Sequence, residues 1–221
     1  MLVIRPELLI WRTFLWVEPS ASRDSWKPLS VDQAARALEG APFKWWISGG
    51  HALELHLGDR WRERDDLDVG ICRYEAARVH AWLSGWDLWI AAAGELSPWD
   101  GRPLSLGRHE NNVWVRRRAE DEWAMDLTVN ECTEDRWVYR RDPSVTRDWE
   151  DAVLETRSGI PYLAPELQLL FKSKDLRAKD HADASHVIPA MGDERRAWLS
   201  EKLNPDHPWQ EIIGGTFTAN E

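Results

Sequence analysis

The stretch WWISGGHALELHLGDRWRERDDLDVGI, residues 45–71, decides the fold. Phe43 to Ser48 is aromatic and β-branched and stops at Gly49-Gly50, which predicts a buried strand entering a glycine turn. His51 to Leu57 then carries Ala52, Leu53 and Leu57 at helical offsets and ends at Gly58. After a charged loop, Asp59 to Asp65, the apolar residues Leu67, Val69 and Ile71 alternate with Asp66 and Asp68. That alternation predicts a second strand, on which the two acids would point the same way about 6.6 Å apart at the Cα level.

Working outward, Ser30 or Asp32 can cap a helix over Val31 to Glu39, which Gly40 and Pro42 end. Downstream, Glu75 to Leu83 reads as a helix and Trp86 to Ala92 as a strand. Residues 94–112 read as loop, punctuated by Pro98, Gly101, Pro103 and Gly107. Val113 to Arg118 and Trp123 to Val129 form a predicted hairpin, with Asp126 and Thr128 on the face opposite Met125, Leu127 and Val129. One more strand is expected at Arg136 to Arg140. Beyond Asp142-Pro143 the pattern turns helical, over Glu166 to Lys174, Asp180 to Pro189 and Asp193 to Leu203. The expected class is α/β (α+β): a mixed sheet flanked by helices in residues 1–150, then a helical C-terminal region, 151–221. The first 30 residues carry no assignable role.

The chain has 221 residues, 43% hydrophobic and 30% charged, which suits an ordinary globular core. Its formal charge of −10 gives no overall attraction for nucleic acid or an anionic membrane and favours a cationic small molecule. The apolar run Leu8 to Val17 is interrupted by Arg12 and too short to span a bilayer, so no membrane partner and a cytoplasmic location are expected. Cys72 and Cys132 are too few for a disulfide framework and suit a reducing compartment. The sixteen tryptophans read as large fillers of core and cleft.

Three features can carry chemistry. Asp66 and Asp68 on one strand face could converge on a hard cation; with 38 acidic residues such a pair alone says little. Asp126 joins them if its strand lies alongside, and three gathered carboxylates then call for a cation, Mg²⁺ or Mn²⁺ before Zn²⁺. Ser48-Gly49-Gly50 at a helix start offers backbone N–H groups to phosphate. There is no Gly-Lys-Ser/Thr loop, no G-x-G-x-x-G and no G-x-S-x-G. His51 and His56, like His181 and His186, stand five apart, not the four that places two ligands on one helical face.

These residues resemble the core of the polymerase β-type nucleotidyltransferase superfamily: a strand, Gly-Gly, a helix, and an acid-x-acid strand after fifteen residues. More narrowly, GGHALELHLG and DDLDV are similar to aminoglycoside and lincosamide nucleotidyltransferases and to AbiEii-like enzymes. WAMDLTV at 123–129 matches the third acid, and YLAPELQLLFKSKDLRAKDHADA at 162–184 the C-terminal helix with its lysines. The family's Thr-Arg-x-His before the acids is here Trp61-Arg62-Glu63-Arg64. The resemblance implies that Asp66, Asp68 and Asp126 are catalytic and hold Mg²⁺, with Mn²⁺ as the alternative. It puts Ser48, Gly49, Gly50, Arg64, Lys172, Lys174 and Lys179 on the nucleotide, an NTP read as ATP.

The expected activity is transfer of AMP to a hydroxyl of a small molecule of the aminoglycoside type, with pyrophosphate leaving. A toxin-like transferase acting on tRNA or protein is the first rival; it needs a basic surface, for which only Arg60 to Arg64 and Arg116 to Arg118 are sources. A non-catalytic nucleotide-binding module is the second. Nothing in the sequence sets the oligomeric state.

Overall fold

The computed structural model describes residues 25–215, so the run Leu8 to Val17 lies outside the described residues. Its centre is a ten-stranded mixed sheet, and the strands that matter most are β1 (Trp45–Ile47), β2 (Asp68–Cys72) and β6 (Met125–Cys132). β2 lies between the other two, antiparallel to β1 and parallel to β6. To one side the sheet continues through β5 (Asn112–Arg116), β3 (Asp87–Ala92) and β4 (Glu95–Pro98). To the other it continues through β10 (Pro161–Leu163) and β9 (Val153–Glu155). β7 (Arg136–Val138) pairs with β6 and with β8 (Thr146–Asp148).

Register follows from alternation. Asp68 lies opposite Asp126, Val69 opposite Leu127, Gly70 opposite Thr128 and Ile71 opposite Val129. The odd-numbered residues of this set are fully buried, so a one-residue slip would put four aliphatic side chains on the polar face. Gly70 is needed because a Cβ there would run into the indole of Trp46, its cross-strand neighbour. Trp46, Trp123, Trp137 and Trp209 are among the largest fully buried side chains, in line with the filler role expected for tryptophan.

Around the sheet lie α1 (Val31–Ala37), closed by a reciprocal Ser30–Gln33 capping box, α2 (Gly49–Leu57), α3 (Ala76–Trp82) and the short α4 (Trp149–Ala152). The C-terminal helices are α5 (Pro165–Lys172), α6 (Ala178–Ala190), α7 (Asp193–Lys202) and α8 (Trp209–Ile213). α5 packs on both α2 and α7. The mixed α/β class expected from sequence is what the chain adopts.

Several details differ from the sequence reading. The acid strand starts at Asp68, not Asp66, because Asp65 and Asp66 remain exposed in the preceding bend. Residues 94–112 contain β4, a strand masked by its Pro98 and by an exposed, polar surface. The three-residue strands β8, β9 and β10 are too short to show periodicity, and β9 and β10 carry the sheet past residue 150. Cys72 and Cys132, read as reduced, form a disulfide: Cys72 lies opposite Asn130, two residues before Cys132 on β6, and the two Cα atoms are 5.6 Å apart.

Candidate functional site

The site begins where β1 passes into α2. The Ser48 N–H donates to the Asp68 carbonyl at 2.9 Å, and the Asp126 N–H donates to the Leu67 carbonyl at 2.8 Å, so backbone bonds tie the helix start and both acids together. Both glycines are dictated by what stands against them. Gly49 has φ of +66°, where side chains are strained, and a Cβ there would collide with the Asp68 carboxylate. A Cβ on Gly50 would collide with the Arg64 guanidinium. The double glycine therefore lets an acid and an arginine approach the helix start. The Gly49 N–H donates to Gln168 Oε1 at 2.7 Å, from α5.

Parallel pairing sets Asp68 and Asp126 side by side on one face of the sheet. The Asn112 amide donates to Asp126 Oδ2 at 2.8 Å, while Asp126 Oδ1 is buried with no hydrogen-bond partner. Burial, followed by the charge of Asp66, raises the Asp68 pKa to about 7 against the opposing pull of Lys172, Lys179 and Arg177. Burial and the neighbouring Asp68 likewise hold Asp126 well above the usual carboxylate range, although the Asn112 bond works the other way. Asp66 acts on both through its charge, but from an exposed position ahead of β2.

Among the described residues no three His, Cys, Asp or Glu side chains are gathered closely enough to hold a metal ion. Of the three acids expected to converge, the structure brings two together. Those two still fit a hard divalent cation: paired carboxylates, raised in pKa chiefly by burial and then by neighbouring acids, with one oxygen unpartnered.

Two cavities meet over Asp68. One, of about 460 Å³, is basic on balance: Arg141, Lys172, Lys174 and Arg177 line it against the acids Asp68, Asp175 and Asp180, together with Gly49. The other, of about 150 Å³, is lined by Ser48, Asn111, Thr128, Asn130 and Arg140. A third, of about 420 Å³, opens beside Asp126 between Trp114, Asn112 and the β3–β4 turn.

The expected cations divide by their surroundings. Lys174 and Lys179 are exposed. Lys172 is buried and bonded to Asp180 at 2.9 Å and Asp183 at 3.0 Å. Arg64 is buried and bonded to Glu54 at 2.8 Å and Asp183 at 3.2 Å. Gln168, Asn112, Arg140, Arg141 and Arg177 escaped sequence reasoning. Arginines and amides recur throughout the chain, and only the topology brings these to one cleft.

A helix start cradled against in-register acids, with a basic cavity above, on a mixed sheet, defines a nucleotidyltransferase. The aminoglycoside-2''-adenylyltransferase family model matches residues 30–187, and the chain belongs to that family. The solution structure of the antibiotic-resistance factor ANT(2'')-Ia is similar in fold. It is 13% identical, the match covers 82% of this chain and 93% of that one, and the TM-score is 0.51. The lincosamide antibiotic adenylyltransferase LnuA, solved with lincomycin bound, is 19% identical over 72% of this chain and 95% of that one, with a TM-score of 0.49. ANT(2'')-Ia in complex with adenylyl-2''-tobramycin is 14% identical over 78% and 98%, also at 0.49. No curated protein matches the chain.

Proposed function

We propose that the enzyme transfers AMP from ATP to a hydroxyl of a small-molecule antibiotic, with Asp68 and Asp126 holding Mg²⁺, or Mn²⁺ in its place, and Asp66 adding charge from the rim. The observation that carries this is the pair of in-register acids, one oxygen unpartnered, at the junction of a basic cavity and a polar one. When bound, the cation would neutralise charge on the phosphates and favour ionisation of the attacking hydroxyl.

The chain's own groups do the rest. The N–H groups of Gly49 and Gly50, with Ser48, receive phosphate oxygens at the helix start, and Gln168 yields its Gly49 bond when they do. Lys174, Arg177 and Arg141 face the triphosphate charge, and Lys179, whose charge reaches Asp68, adds to it; Lys172 and Arg64 hold the wall behind it. Asp126, beside the reacting hydroxyl, accepts its proton. The hydroxyl oxygen bonds to the α-phosphorus as the bond to the bridging oxygen breaks, and pyrophosphate leaves. We read the helices from Pro165 to Ile213 as the part that closes the nucleotide side, and the cytoplasm, where ATP is, as the place of action. No helix among the described residues is long and apolar enough to cross a membrane.

A tRNA acceptor is disfavoured, because most of the arginines in the two basic runs are already engaged. Arg60 pairs with Glu63, Arg62 with Asp183, Arg116 with Asp87, and Arg117 stacks on Trp86. The test is incubation with α-labelled or γ-labelled ATP, Mg²⁺, and separate aminoglycoside, lincosamide and tRNA acceptors, with mass spectrometry of products. α-Label is expected in a small-molecule acceptor and γ-label only in pyrophosphate. γ-Label in the acceptor would mean phosphoryl transfer and overturn the reading.

A further inference from the structure

The cavity of about 420 Å³ beside Asp126 differs in chemistry from the two over Asp68. It shares only Asn112 with them, and no basic side chain lines it. Its floor is set by register. Trp114 lies opposite Asp126 on one side and Trp89 on the other, while Val113, Val115, Leu88 and Ile90 turn the opposite way into the core. Trp114 therefore shares the face of Asp126, and Ala91, two residues past Trp89 and opposite Leu96, follows on that face with only a methyl group. The space left above them falls within the roughly 300–1,000 Å³ of small-molecule sites. Trp114 is fixed by T-shaped contacts with Trp26, ring centres 5.0 Å apart, and with Trp123 at 5.5 Å. Its indole also acts on the Asp126 carboxylate and favours the ionised form, as Asn112 does. The ionisable side chains lining this cavity, Asp126 and Glu95, are both acids.

In-line displacement puts the attacking hydroxyl opposite the departing pyrophosphate. The phosphate donors stand on the Gly49 side of the acids, so the other side, which Asp126 lines, is left for the acceptor. We propose that this cavity seats the acceptor and that Trp114 is its specificity-determining platform, holding a hydroxylated ring by its C–H face so that one hydroxyl reaches Asp126. The proposal rests on the transferase reading and narrows its substrate class. A ring with ammonium or neutral substituents fits, because an indole attracts both apolar C–H surface and cations, and the two acids add to the attraction. A ring bearing a carboxylate or phosphate meets two acids and no cation, and is rejected. Ala91 sets the room: a larger side chain there rises into the seat.

The test uses the full chain as wild type, Ala91→Phe, Trp114→Phe and Trp114→Ala, titrated calorimetrically with tobramycin, with lincomycin and, separately, with ATP and Mg²⁺. The wild type is expected to bind at least one of the two antibiotics. Trp114→Ala is expected to weaken that binding about tenfold and Trp114→Phe about threefold, while Ala91→Phe abolishes it and leaves ATP binding within about twofold. Unchanged antibiotic binding in a folded Ala91→Phe protein overturns the proposal. So does a parallel loss of ATP binding in that variant, which would hand the cavity to the nucleotide, and so does a wild type that binds neither antibiotic. If Trp114→Ala fails to melt cooperatively, Ala91→Phe and Trp114→Phe carry the test. Because binding is read without turnover, a wild-type protein that seats the antibiotic but transfers no AMP defeats the transferase reading separately.

Discussion

Two pairs of carboxylates lie within the same molecule and have opposite fates. Asp180 and Asp183 on α6 are saturated with protein cations. Asp183 accepts from Arg62 at 2.9 Å, from the Trp61 indole at 3.1 Å and from Lys172 at 3.0 Å; Asp180 accepts from Lys172 at 2.9 Å and Arg177 at 2.7 Å. Burial alone would raise both, but the hydrogen bonds of Arg177 and Lys172 bring Asp180 down to about 2, and Arg62 with Lys172 takes Asp183 lower still. Asp68 and Asp126 are half-buried, have no hydrogen-bonded cation among the described residues, and shift upward. The first pair is neutralised by the chain to hold α2, α5 and α6 against the loop before β2. The second is left for a charge the chain does not supply, which is the physical signature of a site and not of a scaffold.

The largest effect that separates the pairs is on activity. Asp68→Asn or Asp126→Asn is expected to lower transfer by several kcal/mol of transition-state stabilisation, roughly a thousandfold, with the melting temperature unchanged or raised. Removing a buried charge with no cation bonded to it relieves strain. Steady-state transfer assays alongside thermal melts check this; full turnover in a folded Asp68→Asn protein would erase the distinction. Asp183→Asn should do the reverse. It strands Arg64 and Lys172 beside a neutral amide and is expected to cost about 3 kcal/mol or more of stability by denaturant titration.

Next in size is the contact that joins glycine turn to acid. Gly49→Ala forces a side chain into a left-handed conformation and into Asp68. A loss of about 1–3 kcal/mol in stability is expected. Gly58→Ala meets no neighbour within 4 Å and shares the positive φ, so it isolates the backbone component. If the two variants cost the same, the Asp68 contact contributes nothing.

The contrast between the pairs was only half legible in the sequence. Leu67, Val69 and Ile71 against Asp66 and Asp68 announced a strand with acids on one face, and Met125, Leu127 and Val129 did so for Asp126. Alternation is a local property, so it survives without coordinates. Which strand neighbours which is not local, and the pairing of Asp68 with Asp126 needed the parallel crossover of β2 and β6. Asp66 lost its place on the strand because pairing, not pattern, decides where a strand begins. Lys172 and Arg64 looked like phosphate ligands for the same reason: their partners Asp180, Asp183 and Glu54 are identifiable as acids in the sequence, but not as neighbours. Cys72 and Cys132, 60 residues apart, are brought together by that same register.

The smallest effect is on the pH dependence of stability, where the two pairs act with opposite sign. Asp180 has a folded pKa of about 2, below the ordinary carboxylate value near 4, so its stabilisation is fully present above about pH 4 and is lost as pH falls towards 2. Asp68 has a folded pKa of about 7, so the folded state holds a proton that the unfolded chain gives up near pH 4. Its contribution therefore falls as pH rises from about 4 to 7. In EDTA the melting temperature should rise on the acid side and decline towards neutrality, each kcal/mol moving it by roughly 2–4 °C. Asp180→Asn is expected to flatten the rising limb and Asp68→Asn the falling one, while saturating Mg²⁺ lifts the falling limb of the wild type and of Asp180→Asn but not that of Asp68→Asn. A falling limb that persists in Asp68→Asn would place the uncompensated charge elsewhere and dissolve the contrast between the two pairs.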